Sequence, residues 1–335
     1  MLKVAVIGTG TMGGEHVAAW RSVERAQVTA VLGRNKGKAE ALASECGAAA
    51  YDSFEAMARE AEFDAVDICL PTHLHREYAQ KAADAGKHVI CEKPIALEPK
   101  DAEAMIACCE DRGVRLLIAH DLRFCPEYAQ ARRLVLSGKL GRVGTIRMSR
   151  RSRFPEGSGG WYVDAAKSGG VVTDLLIHDI DWLLWTFGDA ERVTALRAGG
   201  GPGEAPLDYA LLAIRMRSGA IAHLEGSWAH TEFSSSFELS GTAGMLVEHM
   251  ADSMPLRTYA RSGPGEPQAV AVPDMSLRRN SYELELSHLT ECLLDGAEPI
   301  VSAGDAAKAL EVAWAALESA RTGRPVAIRR KEEKR

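Results

Sequence analysis

The first 120 residues alternate short apolar runs with stretches whose apolar residues recur at helical spacing. The runs Lys3 to Ile7, Gln27 to Leu32, Ala48 to Tyr51, Ala65 to Leu70, His88 to Cys91 and Arg115 to Ala119 are short and stop at Gly, Pro or polar residues, which predicts strands. Between them, Gly14 to Val23, Lys36 to Cys46, Phe54 to Glu60, His73 to Ala85 and Pro99 to Arg112 predict helices. Ser53 stands where an N-cap belongs, and Gly86 and Gly113 fall just past helix ends. Strands that are apolar throughout, separated by helices, imply a parallel sheet covered on both faces.

The rhythm then changes. Pro126 to Ser137 predicts a helix, Gly141 to Arg153 a long strand, and Thr173 to Phe187 a single helix. From Arg192 to Val272 strand-like runs follow one another, including Tyr209 to Met216, Ile221 to Trp228, Phe237 to Ser240 and Met245 to Glu248. Glycine-rich turns at 199–203 and 263–265 separate some of them, so a largely antiparallel sheet is expected. Helices over Leu277 to Leu294 and Asp305 to Thr322 close the pattern. The expected fold class is α/β: an N-terminal doubly wound parallel sheet over residues 1–121, then a C-terminal α+β domain with a large, mainly antiparallel open sheet over 122–328. Residues 329–335 form a charged tail of mixed sign.

A chain of 335 residues with 46% hydrophobic and 26% charged residues fits two globular domains. The formal net charge of -6 argues against nucleic acid or an anionic membrane surface as main partner. No apolar run approaches bilayer length, and the first apolar run ends in a glycine turn too soon for a signal-peptide core, so a cytoplasmic location is expected. Seven cysteines without C-x-x-C spacing read as reduced thiols, with neither a disulfide frame nor a zinc site.

Gly8-Thr9-Gly10-Thr11-Met12-Gly13 matches G-x-G-x-x-G after the first strand and before a helix, the context in which it binds a dinucleotide diphosphate. Gly8 permits the turn, Gly10 the approach of a diphosphate, and Gly13 close packing of helix on strand. The second strand ends Gly33-Arg34-Asn35 where an NAD-preferring site carries an acid. Arg34 suits a 2′-phosphate and Asn35 a ribose hydroxyl, so the cofactor is NAD(P), leaning to NADP, with NAD open. Two more strand ends carry polar residues at the ligand-binding edge: Pro71, Thr72 and His75, and then Glu92-Lys93-Pro94. The Lys93 ammonium can favour a substrate alkoxide. Asp174 and His178 are four residues apart, which on one continuous helix places them on one face. A histidine can take a hydroxyl proton near neutral pH, while the opposing reading is a buried His among scattered polar residues. His16, His88, His223 and His249 read as packing or surface histidines, and His120 and Asp121 as neighbours of the pocket.

These pieces, with Arg123-Phe124 and Gly169-Gly170, resemble the Gfo/Idh/MocA family of sugar and inositol oxidoreductases in type and order over nearly the whole length. The resemblance implies a Rossmann domain and a C-terminal domain whose open sheet mediates homodimers or homotetramers. It implies Lys93, Asp174 and His178 as the catalytic centre, with His178 as acid/base, and Arg123, Trp161 and Tyr162 on the substrate side. It implies no catalytic metal. The expected activity is hydride transfer between nicotinamide and a hydroxyl or carbonyl carbon of a sugar, cyclitol or related polyol. The competing reading is a non-catalytic dinucleotide-binding regulator, which predicts a degraded Lys, Asp or His, and all three are present.

Overall fold

The computed structural model describes residues 1–157, 159–199, 207–250, 256–261, 267–271 and 280–329. The glycine turns expected at 200–203 and 263–265, the first residues of the helix expected from Leu277, and the tail from 330 lie outside these. Two compact units form, and they are not contiguous in sequence. One comprises 1–124, 157–168 and 277–310, the other 125–156, 169–276 and 311–335. The opening segment of the first unit ends at Phe124, and two later segments rejoin it.

In the first unit the chain runs β1 (Leu2–Ile7), α1 (Thr11–Trp20), β2 (Ala26–Leu32), α2 (Lys36–Ser44), β3 (Ala49–Tyr51), α3 (Phe54–Glu60), β4 (Ala65–Ile68), α4 (His75–Asp84), β5 (His88–Glu92), α5 (Pro99–Asp111) and β6 (Leu116–Ala119). The sheet order is β3-β2-β1-β4-β5-β6, all parallel, the doubly wound order with its switch point between β1 and β4. Period-2 geometry sends Ala5 and Ile7 to one core and Val4 and Val6 to the other. Both faces are dry, which is why β1 reads as a continuous apolar run. The helix Ser281–Asp295 lays Leu286 and Leu289 on the second core, and Asn280 caps it by accepting from the Glu283 N–H.

Two helix expectations change. The helix expected from Gly14 begins at Thr11, because Gly10 is extended and its carbonyl already accepts from the Gly14 N–H. The helix expected from His73 begins at His75, after a 3₁₀ turn over Thr72–Leu74.

The second unit contains β7 (Val143–Arg153), β8 (Ala190–Gly199), β9 (Asp208–Met216), β10 (Ile221–Ser227), β11 (Ala229–Gly241), β12 (Gly244–His249), β13 (Leu256–Arg261), β14 (Pro267–Ala271) and β15 (Val326–Ala327). Among the described residues these form one nine-stranded sheet, β14-β13-β12-β11-β7-β10-β9-β8-β15. Only the β7–β10 pair is parallel. Burial alternates along β9 and β10, so one face is covered and the other open. On the covered face Trp182, from the helix Ile177–Phe187, stacks on Phe237 with ring centroids 5.4 Å apart, and Tyr128 meets both edge-on. Beside them Arg150 of β7 grips Asp179 with two bonds of 2.7 and 3.0 Å, both side chains buried.

Removing one partner of a buried pair strands the other charge. Asp179→Ala is therefore expected to lower the unfolding free energy by about 3–5 kcal/mol, read by urea denaturation of the full chain. An unchanged midpoint would mean that Arg150 finds another acceptor.

Candidate active site

The strands of the first sheet end at one edge in matched register. Ile7 pairs with Ile68, and Ile68 with Cys91. The segments that follow, from Gly8, from Cys69 and from Glu92, therefore leave the sheet side by side.

The three glycines of the first turn have different reasons to be glycine. Gly8 has φ +126°, and a Cβ there would lie 2.3 Å from the Cys69 carbonyl oxygen. A Cβ on Gly13 would lie 2.1 Å from the Gly8 carbonyl oxygen. Gly10 differs: a Cβ there meets nothing within 4 Å. Neither packing nor φ requires glycine at position 10, so the open space beside it fits a ligand that must approach the main chain. Helix α1 starts there with no side-chain cap and no acid in its first turn, which leaves its N–H groups and positive end for a diphosphate. Thr11 is exposed and Met12 half-buried against the second core. At the end of β2, Gly33 gives room to the Thr9 side chain and Arg34 is exposed. Asn35 caps α2 through its Oδ1, which accepts from the Lys38 N–H at 3.0 Å, so only its amide N–H₂ remains for a ribose.

Beyond β4, Pro71 opens the 3₁₀ turn and Thr72 is buried. The short helix Ala165–Ser168 lies against this turn. Burial, together with the Lys167 charge, lowers the pKa of His73. Trp161 and Tyr162 belong to the same segment, their rings stacked with centroids 3.9 Å apart, and Ser168 Oγ donates to the Tyr162 carbonyl. Sequence reasoning missed Asp164 and Lys167, which pair at 3.0 Å, because nothing local marks them.

Three residues expected at the ligand are committed elsewhere. His75 is buried, with Nδ1 at 2.9 Å from the Pro94 carbonyl and Nε2 at 2.8 Å from the Leu70 carbonyl. It pins two loops together, and burial lowers its pKa. Arg123, expected on the substrate side, is 3% exposed and donates to the Ile300 carbonyl at 2.6 Å and to Asp305 at 3.3 Å. Glu92 is buried, one oxygen facing His16 Nε2 at 2.9 Å and the other accepting the Lys93 main-chain N–H at 3.0 Å. Lys93 itself is half-buried at the turn after β5, where its peptide bond to Pro94 is cis.

His16, read from sequence as a packing histidine, is instead a charged-cluster residue. Its Nδ1 faces Asp67 Oδ2 at 2.9 Å, and Trp20 Nε1 donates to that same oxygen at 2.7 Å. Burial pulls the imidazole down, but the Asp67 charge and hydrogen bond outweigh it and raise its pKa well above the ordinary value. Cys69 beside it is pushed up to about 12 by burial. His16, Asp67 and Cys69 come within 4.8 Å of one another, yet both ring nitrogens are already engaged by carboxylates.

In the second unit Gly169 and Gly170 have φ +74° and +71°. A Cβ on Gly169 would strike Thr173, and one on Gly170 would strike Arg197 and Asp208. Asp208 accepts the Val171 N–H at 2.8 Å and two bonds from Arg197, so it fixes the start of the helix Gly170–Asp174. The single helix expected over Thr173 to Phe187 is broken. The N–H groups of Leu175 and Leu176 both reach the Val171 carbonyl, a widened turn, and a second helix begins at Ile177. The argument from one continuous helix face therefore fails for Asp174 and His178. Asp174 is buried at the end of the first helix and His178 half-buried at the start of the second.

Residues 2–120 match the family described as oxidoreductase family, NAD-binding Rossmann fold, and residues 128–247 match its Gfo/Idh/MocA C-terminal domain. The chain is 30% identical to the scyllo-inositol 2-dehydrogenase (NAD+) of Bacillus subtilis, over 98% of this chain and 96% of that protein. It is 28% identical to the D-xylose 1-dehydrogenase (NADP+) 2 of Haloferax volcanii, over 98% of this chain and 100% of that one. It superposes on the crystal structure of GenD2 from gentamicin A biosynthesis in complex with NAD with a TM-score of 0.86 at 26% identity, covering 98% of this chain and 97% of that one. The chain is thus an NAD-binding oxidoreductase in its fold and dinucleotide turn. It belongs to the Gfo/Idh/MocA family. Among the described residues no helix is long and apolar enough to cross a membrane.

The glycine geometry separates binding from folding. Gly10→Ala is expected to leave the melting temperature unchanged while raising the Kd for NAD(P)H by about tenfold or more, about 1.4 kcal/mol. Gly13→Ala should lower both affinity and melting temperature. Fluorescence titration and thermal melts read the two, and equal affinity in Gly10→Ala would remove the diphosphate from this turn.

Proposed function

We propose that the chain is an NAD(P)-dependent dehydrogenase or reductase that interconverts a hydroxyl and a carbonyl on a sugar, cyclitol or related polyol. The observation that carries this reading is the matched strand ends, which set Lys93 on the same sheet edge as the open Gly10 turn. Gly8, Gly10, Thr11, Met12 and Gly13 would hold the diphosphate, Arg34 and Asn35 the adenosine ribose side, and Pro71 and Thr72 the loop beside it. Bound there, the nicotinamide would accept or return the hydride.

Oxidation removes a hydride from carbon and a proton from oxygen. His178 takes that proton, and in reduction gives it back. The Lys93 ammonium stabilises the developing alkoxide, and Asp174 orients the hydroxyl. Trp161 and Tyr162, a stacked pair just before the helix Ala165–Ser168, offer flat apolar faces for a sugar ring. The names of the relatives support a polyol substrate, and they include both cofactors. The exposed Arg34, with no acid beside it, favours NADP.

We further infer self-association through the open sheet face, where Leu196 and Leu211 are paired across β8 and β9 and both exposed. Light scattering should return two or four chain masses, and a monomer would refute it.

The activity is tested with NAD+ and NADP+ against a panel of sugars, inositols and sugar acids. Turnover of at least one polyol is expected, with tighter binding of NADP+ that Arg34→Ser reduces. Lys93→Met and His178→Asn should each lower kcat by about 10²–10⁴ with dinucleotide Kd retained. Unchanged turnover in both would defeat the assignment.

A further inference from the structure

Under the ligand edge lies a sealed chain of polar groups that hydride transfer does not by itself require. Trp20, His16 and Asp67 are 2%, 0% and 0% exposed, and Glu92 is 5% exposed. The chain runs from Trp20 Nε1 to Asp67 Oδ2 (2.7 Å), on to His16 Nδ1 (2.9 Å), from His16 Nε2 to Glu92 Oε1 (2.9 Å), and from Glu92 Oε2 to the main-chain N–H of Lys93 (3.0 Å). The next link is held from the other side, where His75 reaches the Pro94 carbonyl.

Two facts make this more than packing. First, an ionised carboxylate oxygen only accepts, so an imidazole facing two carboxylates satisfies both only by donating from both nitrogens. The ring thus ties two buried carboxyl groups together, in a place where an apolar residue would avoid the cost of desolvating all three. Second, the ends of the chain are not arbitrary. His16 sits on α1, whose first turn faces the open Gly10 space, and Glu92 is the residue before Lys93. One side chain therefore bridges the dinucleotide helix and the lysine turn.

We propose that His16 is a positioning residue: acting through Glu92, it fixes the main chain of Lys93 relative to the helix that receives the diphosphate. This rests on the reading of Lys93 as the group that handles the substrate oxygen. Groups facing His16 from each element around it are Asp67 and Cys69 from β4 and its end, Glu92 from β5, and Tyr282 and Glu285 from the helix Ser281–Asp295. Burial first, and then the charges of Asp121 and Glu92, push the Glu285 carboxyl well above the ordinary value.

The test is a double-mutant cycle on the full-length enzyme with its preferred polyol. His16→Gln and Glu92→Ala are each expected to lower kcat by about 10–100-fold, the scale of a misplacement near 1 Å, while the Kd for NAD(P)H shifts by less than about threefold. The double variant should be no slower than Glu92→Ala, because the effect of His16 passes through Glu92. Multiplying losses, or a His16→Gln enzyme with wild-type kcat, overturns the proposal. Lys93→Met distinguishes the two failures: if it retains turnover, the reading of Lys93 falls, whereas if it is inactive and His16→Gln is not impaired, only the positioning role falls. Should the His16 variant not fold, ¹⁵N spectra of the wild-type histidines, followed as pH is raised past the ordinary histidine range, decide. One ring with both nitrogens protonated is expected, and a spectrum without one overturns the clamp.

Discussion

The parallel register of β1, β4 and β5 is the constraint on which the first unit depends. Parallel strands put all their C-terminal ends on one edge, and matched ends make the three exit loops neighbours without any loop having to be long. A dinucleotide turn, a proline-fixed loop and a lysine turn then share one rim. Their spacing is set by backbone ladders, among the stiffest parts of a fold, rather than by the loops themselves. Buried histidines at two points, His16 and His75, transfer that stiffness from the ladders to the loops.

What could be read from the residues was what is local. Gly8 to Gly13 and Glu92-Lys93-Pro94 are short spacings whose geometry is set by the peptide chain, and the strand–helix alternation needs only hydrophobic period. The six strands of the first sheet were legible for that reason, to within two residues at most ends. What is not local stayed hidden. His16 meets Asp67 across 51 positions and Glu92 across 76, so no window of sequence displays the cluster. The return of 157–168 and 277–310 to the first unit is equally invisible, since polar loops and amphipathic helices carry no address. The break between Asp174 and Ile177 was hidden for a different reason. The sequence there is a good helix, and the widened turn arises beside a helix start anchored by Asp208, more than thirty positions away.

The second unit obeys a contrasting rule. Its sheet has one wet face, so its strands announce themselves by alternation, and its stability leans on an aromatic cluster with a buried ion pair beside it. The glycine doublet at 169 and 170 is demanded both by left-handed backbone and by crowding against Thr173, Arg197 and Asp208.

The cap at Asn35 has a consequence for how this enzyme's lineage changes. Asp caps a helix about as well as Asn, so an exchange at position 35 keeps the start of α2. With the dinucleotide placed as proposed, an exchange of Asn for Asp there would add a negative charge beside the place of a 2′-phosphate while leaving the helix start intact. A change of coenzyme made at this position would then cost the fold little, and relatives of the chain carry names with either nucleotide.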